Sequence, residues 1–195
     1  GVISPLLSNL FLHYVLDKWL GIKYPHLSFV RYADDIVVHS YTEQQAKEVL
    51  SSIQERLSEC KLRLSEEKTK IVQCKYYHQK QVREYVRKFD FLGFTFKPMS
   101  LRLKKGGIFL GCACMISQKS QTRITKGWKL EGWYKHTYLN IQDIALKVNA
   151  QSVGILRYYG KYTVCYLRTL FKHLENRIIK WVLKKYKGFK NSKWR

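Results

Sequence analysis

The chain has 195 residues, 46% of them hydrophobic and 14% aromatic, with 36 Lys+Arg against 14 Asp+Glu for a formal net charge of +22. This supports a globular chain with a buried core, and a charge so far from zero points to an extended polyanion such as RNA or DNA as partner. Five cysteines, odd in number and without a C-x-x-C spacing, argue against a disulfide framework or zinc site, and no apolar run approaches the ~20 residues that span a bilayer.

Ser4-Pro5 reads as an N-cap followed by proline in the first helical position. Leu6, Leu7, Leu10, Phe11, Tyr14, Val15 and Trp19 then recur at helical steps, which predicts an amphipathic helix to about Trp19, mostly core. The stretch Phe29-Val30-Arg31-Tyr32-Ala33-Asp34-Asp35-Ile36-Val37-Val38 predicts a short antiparallel hairpin with two carboxylates at its tip. Adjacent carboxylates on a tight turn can present hard oxygen donors to one edge. Mg²⁺ prefers such donors, and a pair of such ions can stabilise the attacking and leaving oxygens of a phosphoryl transfer. A plain polar turn is the alternative.

Thr42 with Gln45 predicts a capping box, and Ala46, Val49, Leu50, Ile53 and Leu57 one apolar helical face. Leu62 and Leu64 suggest a short strand, a turn at 65–68 follows, and 69–72 suggests a second strand. Residues 75–88 are polar and basic. Phe89-Asp90-Phe91-Leu92-Gly93-Phe94-Thr95-Phe96 reads as two aromatic strands meeting near a glycine. Beyond Pro98, apart from a basic turn at Lys104-Lys105-Gly106-Gly107, the chain reads as helical, with loops at 125–138 and around 159–161. In a final helix over 163–187, Val164, Leu167, Phe171, Leu174, Ile178 and Trp181 form a seam, and Arg168, Lys172, Lys180 and Lys184 a neighbouring basic stripe able to follow an RNA backbone. Charge divides unevenly: residues 1–97 hold 15 Lys+Arg against 11 Asp+Glu, a balance of +4, and residues 98–195 hold 21 against 3, a balance of +18. The second half is the expected nucleic-acid grip.

Three motifs in order, Gly1-Val2-Ile3-Ser4-Pro5-Leu6-Leu7-Ser8-Asn9, Tyr32-Ala33-Asp34-Asp35 and Phe91-Leu92-Gly93-Phe94, resemble the palm of reverse transcriptases encoded by group II introns. The resemblance implies an α+β fold: a partial palm of antiparallel sheet with helices over 1–98, then a helical thumb or maturase domain over 99–195. It implies that Asp34 and Asp35 hold Mg²⁺ in a two-metal site, and that Gly1, Ser4, Pro5, Asn9, Tyr32 and Ala33 lie beside nucleotide and template. Leu92, Gly93 and Phe94 would form the primer grip. Leu64, Glu67, Lys68 and Thr69 match the family's Leu-x-x-Glu-Lys-Thr pattern, which would put Lys68 near the departing pyrophosphate as charge neutraliser or proton donor.

Residues 140–149 and 153–160 resemble the same family's maturase domain. Ala150 stands where the family has proline, and Val153-Gly154-Ile155 where it has Arg-Gly-Trp. The implied function is the C-terminal portion of an RNA-directed DNA polymerase that binds intron RNA and primer-template, uses deoxynucleoside triphosphates, and assists splicing and retrohoming. The family's first metal-binding aspartate and its fingers are expected upstream of Gly1, so the chain reads as a fragment, a piece of a split protein whose upstream polypeptide supplies them, or a decayed copy. A non-enzymatic maturase-like RNA-binding protein is the alternative; another reverse transcriptase lineage is disfavoured by the maturase-like end. The expected setting is intracellular, in a bacterial cytoplasm or an organelle.

Overall fold

The structure is a computed structural model that describes residues 3–74, 86–103 and 106–188. It is a mixed α+β fold with two antiparallel sheets. The described residues group into two compact units, one over 3–73 with 86–87, the other over 88–188 with residue 74.

The first unit opens with α1 (Ile3–Leu12), a π-helical turn (His13–Lys18) and α2 (Trp19–Lys23), one helical run that outlasts the predicted end at Trp19. Ser4 and Pro5 fall inside the first turn rather than ahead of it. Proline is tolerated there because first-turn N–H groups have no acceptor within the helix. The expectation that this helix is mostly core fails over α1 and at Tyr14 and holds for Val15 and Trp19, which belong to the core or pack on it. No residue of α1 is buried, and Ile3, Leu6, Leu7, Leu10, Phe11 and Tyr14 are all exposed. Periodicity marks a sided helix without supplying the element that covers the side. Burial begins at the π turn, where Val15, Leu16 and then Leu20 meet Val49, Ile53 and Leu57 of α3 (Glu43–Glu59).

The predicted hairpin is β1 (Phe29–Tyr32) and β2 (Asp35–Val38), in register Phe29↔Val38 to Tyr32↔Asp35. Phe29, Ile36 and Val38 pack on the same core. The α3 cap forms in a modified way. Thr42 accepts from the Gln45 backbone N–H at 3.1 Å, while the Gln45 side chain turns back to the Tyr41 N–H at 2.9 Å instead of the cap's own. The two strands expected around 62–64 and 69–72 are irregular chain. Leu62 and Leu64 pack on the core without a strand partner, and only Val72 makes an isolated bridge, to Val86.

In the second unit, β3 (Phe89–Phe91), β4 (Phe94–Arg102) and β5 (Ile108–Ile116) form an antiparallel sheet in that order. This corrects the helical reading of the residues after Pro98. A continuous apolar run such as 108–116 suits a buried helix or strand equally, and pairing with β4 from Phe94↔Ile116 to Arg102↔Ile108 decides it. Pro98 lies within β4 instead of ending an element, past the point where β3 stops pairing, and an open strand edge tolerates proline. The β4–β5 turn carries Gly106 and Gly107 at φ +86° and +94°; Lys104 and Lys105 lie outside the described residues.

Helix α4 (Gln118–Glu131) is capped by Ser117 and ends on left-handed Gly132, so the loop predicted over 125–138 begins only there. Helix α5 (Ile141–Lys185) is one helix of 45 residues, opened by an Asn140–Asp143 capping box and about 68 Å long. The break predicted around 159–161 is absent. Glycine in a helix interior costs only about 1 kcal/mol, and Tyr159, Leu167 and Leu170 flank Gly160 with buried side chains. Of the predicted seam, Leu167, Leu174 and Trp181 are buried and Phe171 and Ile178 pack against the core. Val164 is 61% exposed, whereas Leu170, outside the predicted seam, is buried. The C-terminal end of α5 holds the 132–140 segment: Trp181 Nε1 donates to His136 O at 3.0 Å, Lys184 Nζ to Lys135 O at 2.8 Å and Lys185 Nζ to Leu139 O. Among the described residues no helix is long and apolar enough to cross a membrane.

Candidate functional site

The β1–β2 loop is the two residues Ala33 and Asp34. Ala33 has φ 54° and Asp34 does not have a positive φ, the type II′ pattern in which only the first loop residue is left-handed. Along β1, Phe29 and Arg31 face the packed side and Val30 and Tyr32 the exposed side. Because Asp35 pairs with Tyr32 and Val37 with Val30, Asp35 shares the outward face with Tyr32 while Asp34 stands in the turn. Both carboxylates are exposed, and neither has an ion pair or side-chain hydrogen bond among the described residues. Tyr32 is exposed as well.

Arg31 fixes this tip. Its Nε and Nη2 donate to the two oxygens of Asp17, each at 2.7 Å. Its Nη1 donates to Ala33 O at 2.8 Å and to Asn9 Oδ1 at 3.0 Å. One guanidinium therefore ties the π-helical turn, the first helix and the left-handed loop residue together. The Arg31 hydrogen bonds hold the Asp17 carboxyl below its ordinary range; burial opposes this and His13, 3.2 Å away, adds to it. This clamp was missed at sequence level. A signal was present: a charged residue at an inward strand position demands a partner, and Asp17 is the only acidic residue before the hairpin.

The other candidates are placed as follows. Asn9 sits on exposed α1 with its side chain bonded to Arg31, and Ser4 and Pro5 are exposed in the first turn; Gly1 lies outside the described residues. Lys68 is exposed in a turn closed by its own N–H to Ser65 O at 3.1 Å, with no bond to Asp34 or Asp35 among the described residues. In the second unit, the Leu92-Gly93 loop has φ 50° and 79°, the type I′ pattern. Both its carbonyls are engaged: Tyr158 Oη donates to Leu92 O at 2.9 Å and the Ser117 N–H to Gly93 O at 2.9 Å. A methyl group at Gly93 would stand 2.9 Å from Tyr159 Oη and 3.0 Å from Ser120 Oγ. Phe94 is buried against Tyr158 and Tyr159. This tie between hairpin and helix was also not foreseen.

On α5, Arg168, Lys172 and Lys180 are exposed and unpaired among the described residues, whereas Lys184 is bonded to Lys135 O. Asp34 and Asp35 present exposed carboxylate oxygens, the donor type that hard divalent cations prefer. No group of three or more His, Cys, Asp or Glu able to hold a metal occurs among the described residues. Burial pushes the Cys112 and Cys114 thiols up, which makes them poor nucleophiles.

Residues 1–96 match the family model described as reverse transcriptase (RNA-dependent DNA polymerase). The match takes in both hairpins and supports a reverse transcriptase domain over these residues; members of that family work on nucleic acid and deoxynucleoside triphosphates. No curated protein matches the chain.

Proposed function

We propose that the chain is the C-terminal portion of a group II intron type reverse transcriptase/maturase. In this reading Asp34 and Asp35 contribute ligands to Mg²⁺, with water and substrate phosphates completing the shell, and further carboxylate comes from a segment outside the described residues. The metal, when bound, supplies charge neutralisation at the transferred phosphoryl group. Arg31 holds the tip so that both carboxylates face outward without spending their oxygens on protein donors. Asn9, Tyr32 and Ala33 border the nucleotide and template, Lys68 meets the leaving pyrophosphate, and the Leu92-Gly93-Phe94 turn meets the primer. The basic second half grips intron RNA for splicing and retrohoming, in a bacterial cytoplasm or an organelle.

One observation carries this reading: two unpaired carboxylates on a left-handed hairpin tip within the segment that matches the reverse transcriptase family. The test is RNA-templated primer extension with Mg²⁺ and deoxynucleotides, by the chain alone and with a polypeptide supplying the rest of the palm and the fingers. Extension is expected only in the second case. There Asp34→Asn should abolish it while RNA affinity persists. Extension that survives Asp34→Asn would refute the metal assignment, and RNA binding without reconstituted extension would favour a non-enzymatic maturase.

A further inference from the structure

Because residues 159–161 are helical, side chains that a loop would have scattered fall on one face of α5. Arg157, Lys161, Arg168 and Lys172 follow at steps of four, seven and four residues, which keeps them on a single stripe about 22 Å long. All four are exposed. Beside them stand two exposed rings, Tyr158 at 52% and Tyr162 at 64%. Tyr158 is immobilised: its hydroxyl is bonded to Leu92 O at 2.9 Å and its ring stacks on Phe94 at 5.5 Å and 27°. Tyr162 packs edge-on to the same Phe94 at 6.2 Å, and the Lys161 ammonium lies 5.4 Å above the Tyr162 ring.

We propose that Tyr158 and Tyr162, with Arg157, Lys161, Arg168 and Lys172, form a site for single-stranded nucleic acid. Bases stack on the two rings and the backbone follows the cations. A cationic track supplies affinity without sequence readout, and aromatic faces accept any base whose own face is uncovered. A duplex hides those faces within its stack, so the rings select single strands or strand ends. Ordering the rings through Phe94 and Leu92 before any ligand arrives lowers the entropic cost of stacking. The site rests on the reading of the chain as a nucleic-acid-binding protein, and it adds which strand form is held and by which side chains.

The full chain is titrated by fluorescence anisotropy, across a salt series, with a short oligouridine, an abasic oligonucleotide of equal length and an RNA–DNA duplex. Tyr162→Ala should weaken oligouridine binding by about five- to 150-fold, the range for losing one base–aromatic stack. It should leave the abasic probe, the duplex and the salt slope unchanged, and Tyr162→Phe should retain wild-type affinity. Tyr162 is exposed, so the variant should keep the wild-type circular dichroism. Wild-type affinity for oligouridine in a folded Tyr162→Ala chain would overturn the stacking site, as would equal losses for all three probes or a loss in Tyr162→Phe matching that in Tyr162→Ala. If the wild-type chain binds no probe in a salt-dependent way, the nucleic-acid reading itself fails and the site with it.

Discussion

Arg31 does more than any other single side chain to shape the candidate metal site. The Arg31–Asp17 pair is bidentate, with side-chain exposures of only 11% and 20%, a geometry in which ion pairs are worth more than their exposed counterparts. Arg31→Ala should cost about 1–3 kcal/mol, because it leaves a largely buried carboxylate without its donor. Arg31→Lys should recover only part of this, since an ammonium cannot reach Asp17, Ala33 O and Asn9 in one fork. Asp17 has a lowered pKa in the folded chain, so its stabilisation is present above its ordinary value of 3.8 and fades as pH falls through and below it. Urea unfolding should therefore show the Arg31→Ala penalty in full near neutral pH and a smaller one at about pH 3. A penalty independent of pH would mean that Arg31 stabilises by packing alone.

At the scale of elements, two glycines make opposite demands. Gly154 lies within α5, and a Cβ there would meet nothing within 4 Å. Gly154→Ala should raise stability by about 0.5–1 kcal/mol through the helix-interior preference for alanine. Gly93 has φ +79° and is overhung by Tyr159 Oη at 2.9 Å. Gly93→Ala should destabilise by more than that gain, since the backbone is left-handed and the space is taken. Thermal melts of the two single variants decide both signs. A destabilising Gly154→Ala would indicate that α5 bends or breaks there.

For the molecule as a whole, the asymmetry of +4 over residues 1–97 against +18 over residues 98–195 makes the second half the candidate grip for a polyanion. Replacing Arg168, Lys172 and Lys180 with Ala should lower RNA affinity about equally across sequences and flatten the log–log salt slope by up to ~2–3, at roughly 0.7–0.9 for each lost phosphate contact. Lys184→Ala should change that slope less, because its ammonium is bonded to Lys135 O, and should instead loosen the 132–140 segment. Filter binding over a salt series, with hydrogen exchange on that segment, separates the two effects. A slope unchanged in the folded triple variant would place the grip elsewhere on the basic half.

Local chemistry made part of this legible in the primary structure. Both hairpins, the Thr42 cap and the inward face of α3 depend on turn residues, capping side chains and side-chain periods acting over a few positions, and these are written in consecutive residues. The carboxylate tip was readable for that reason, and so was the aromatic Leu92-Gly93 turn. Four features depended on residues far apart in the chain. The apolar face of α1 is uncovered because no described element packs on it, and strand β5 exists because β4 offers a ladder. The continuity of α5 through Gly160 follows from packing on either side outweighing a small helical penalty. The Arg31–Asp17–Asn9 clamp joins side chains up to 22 positions apart. Side-chain periods state which face is apolar, but which partner meets that face, and which charge answers a charge turned inward, is settled only when the chain folds back on itself.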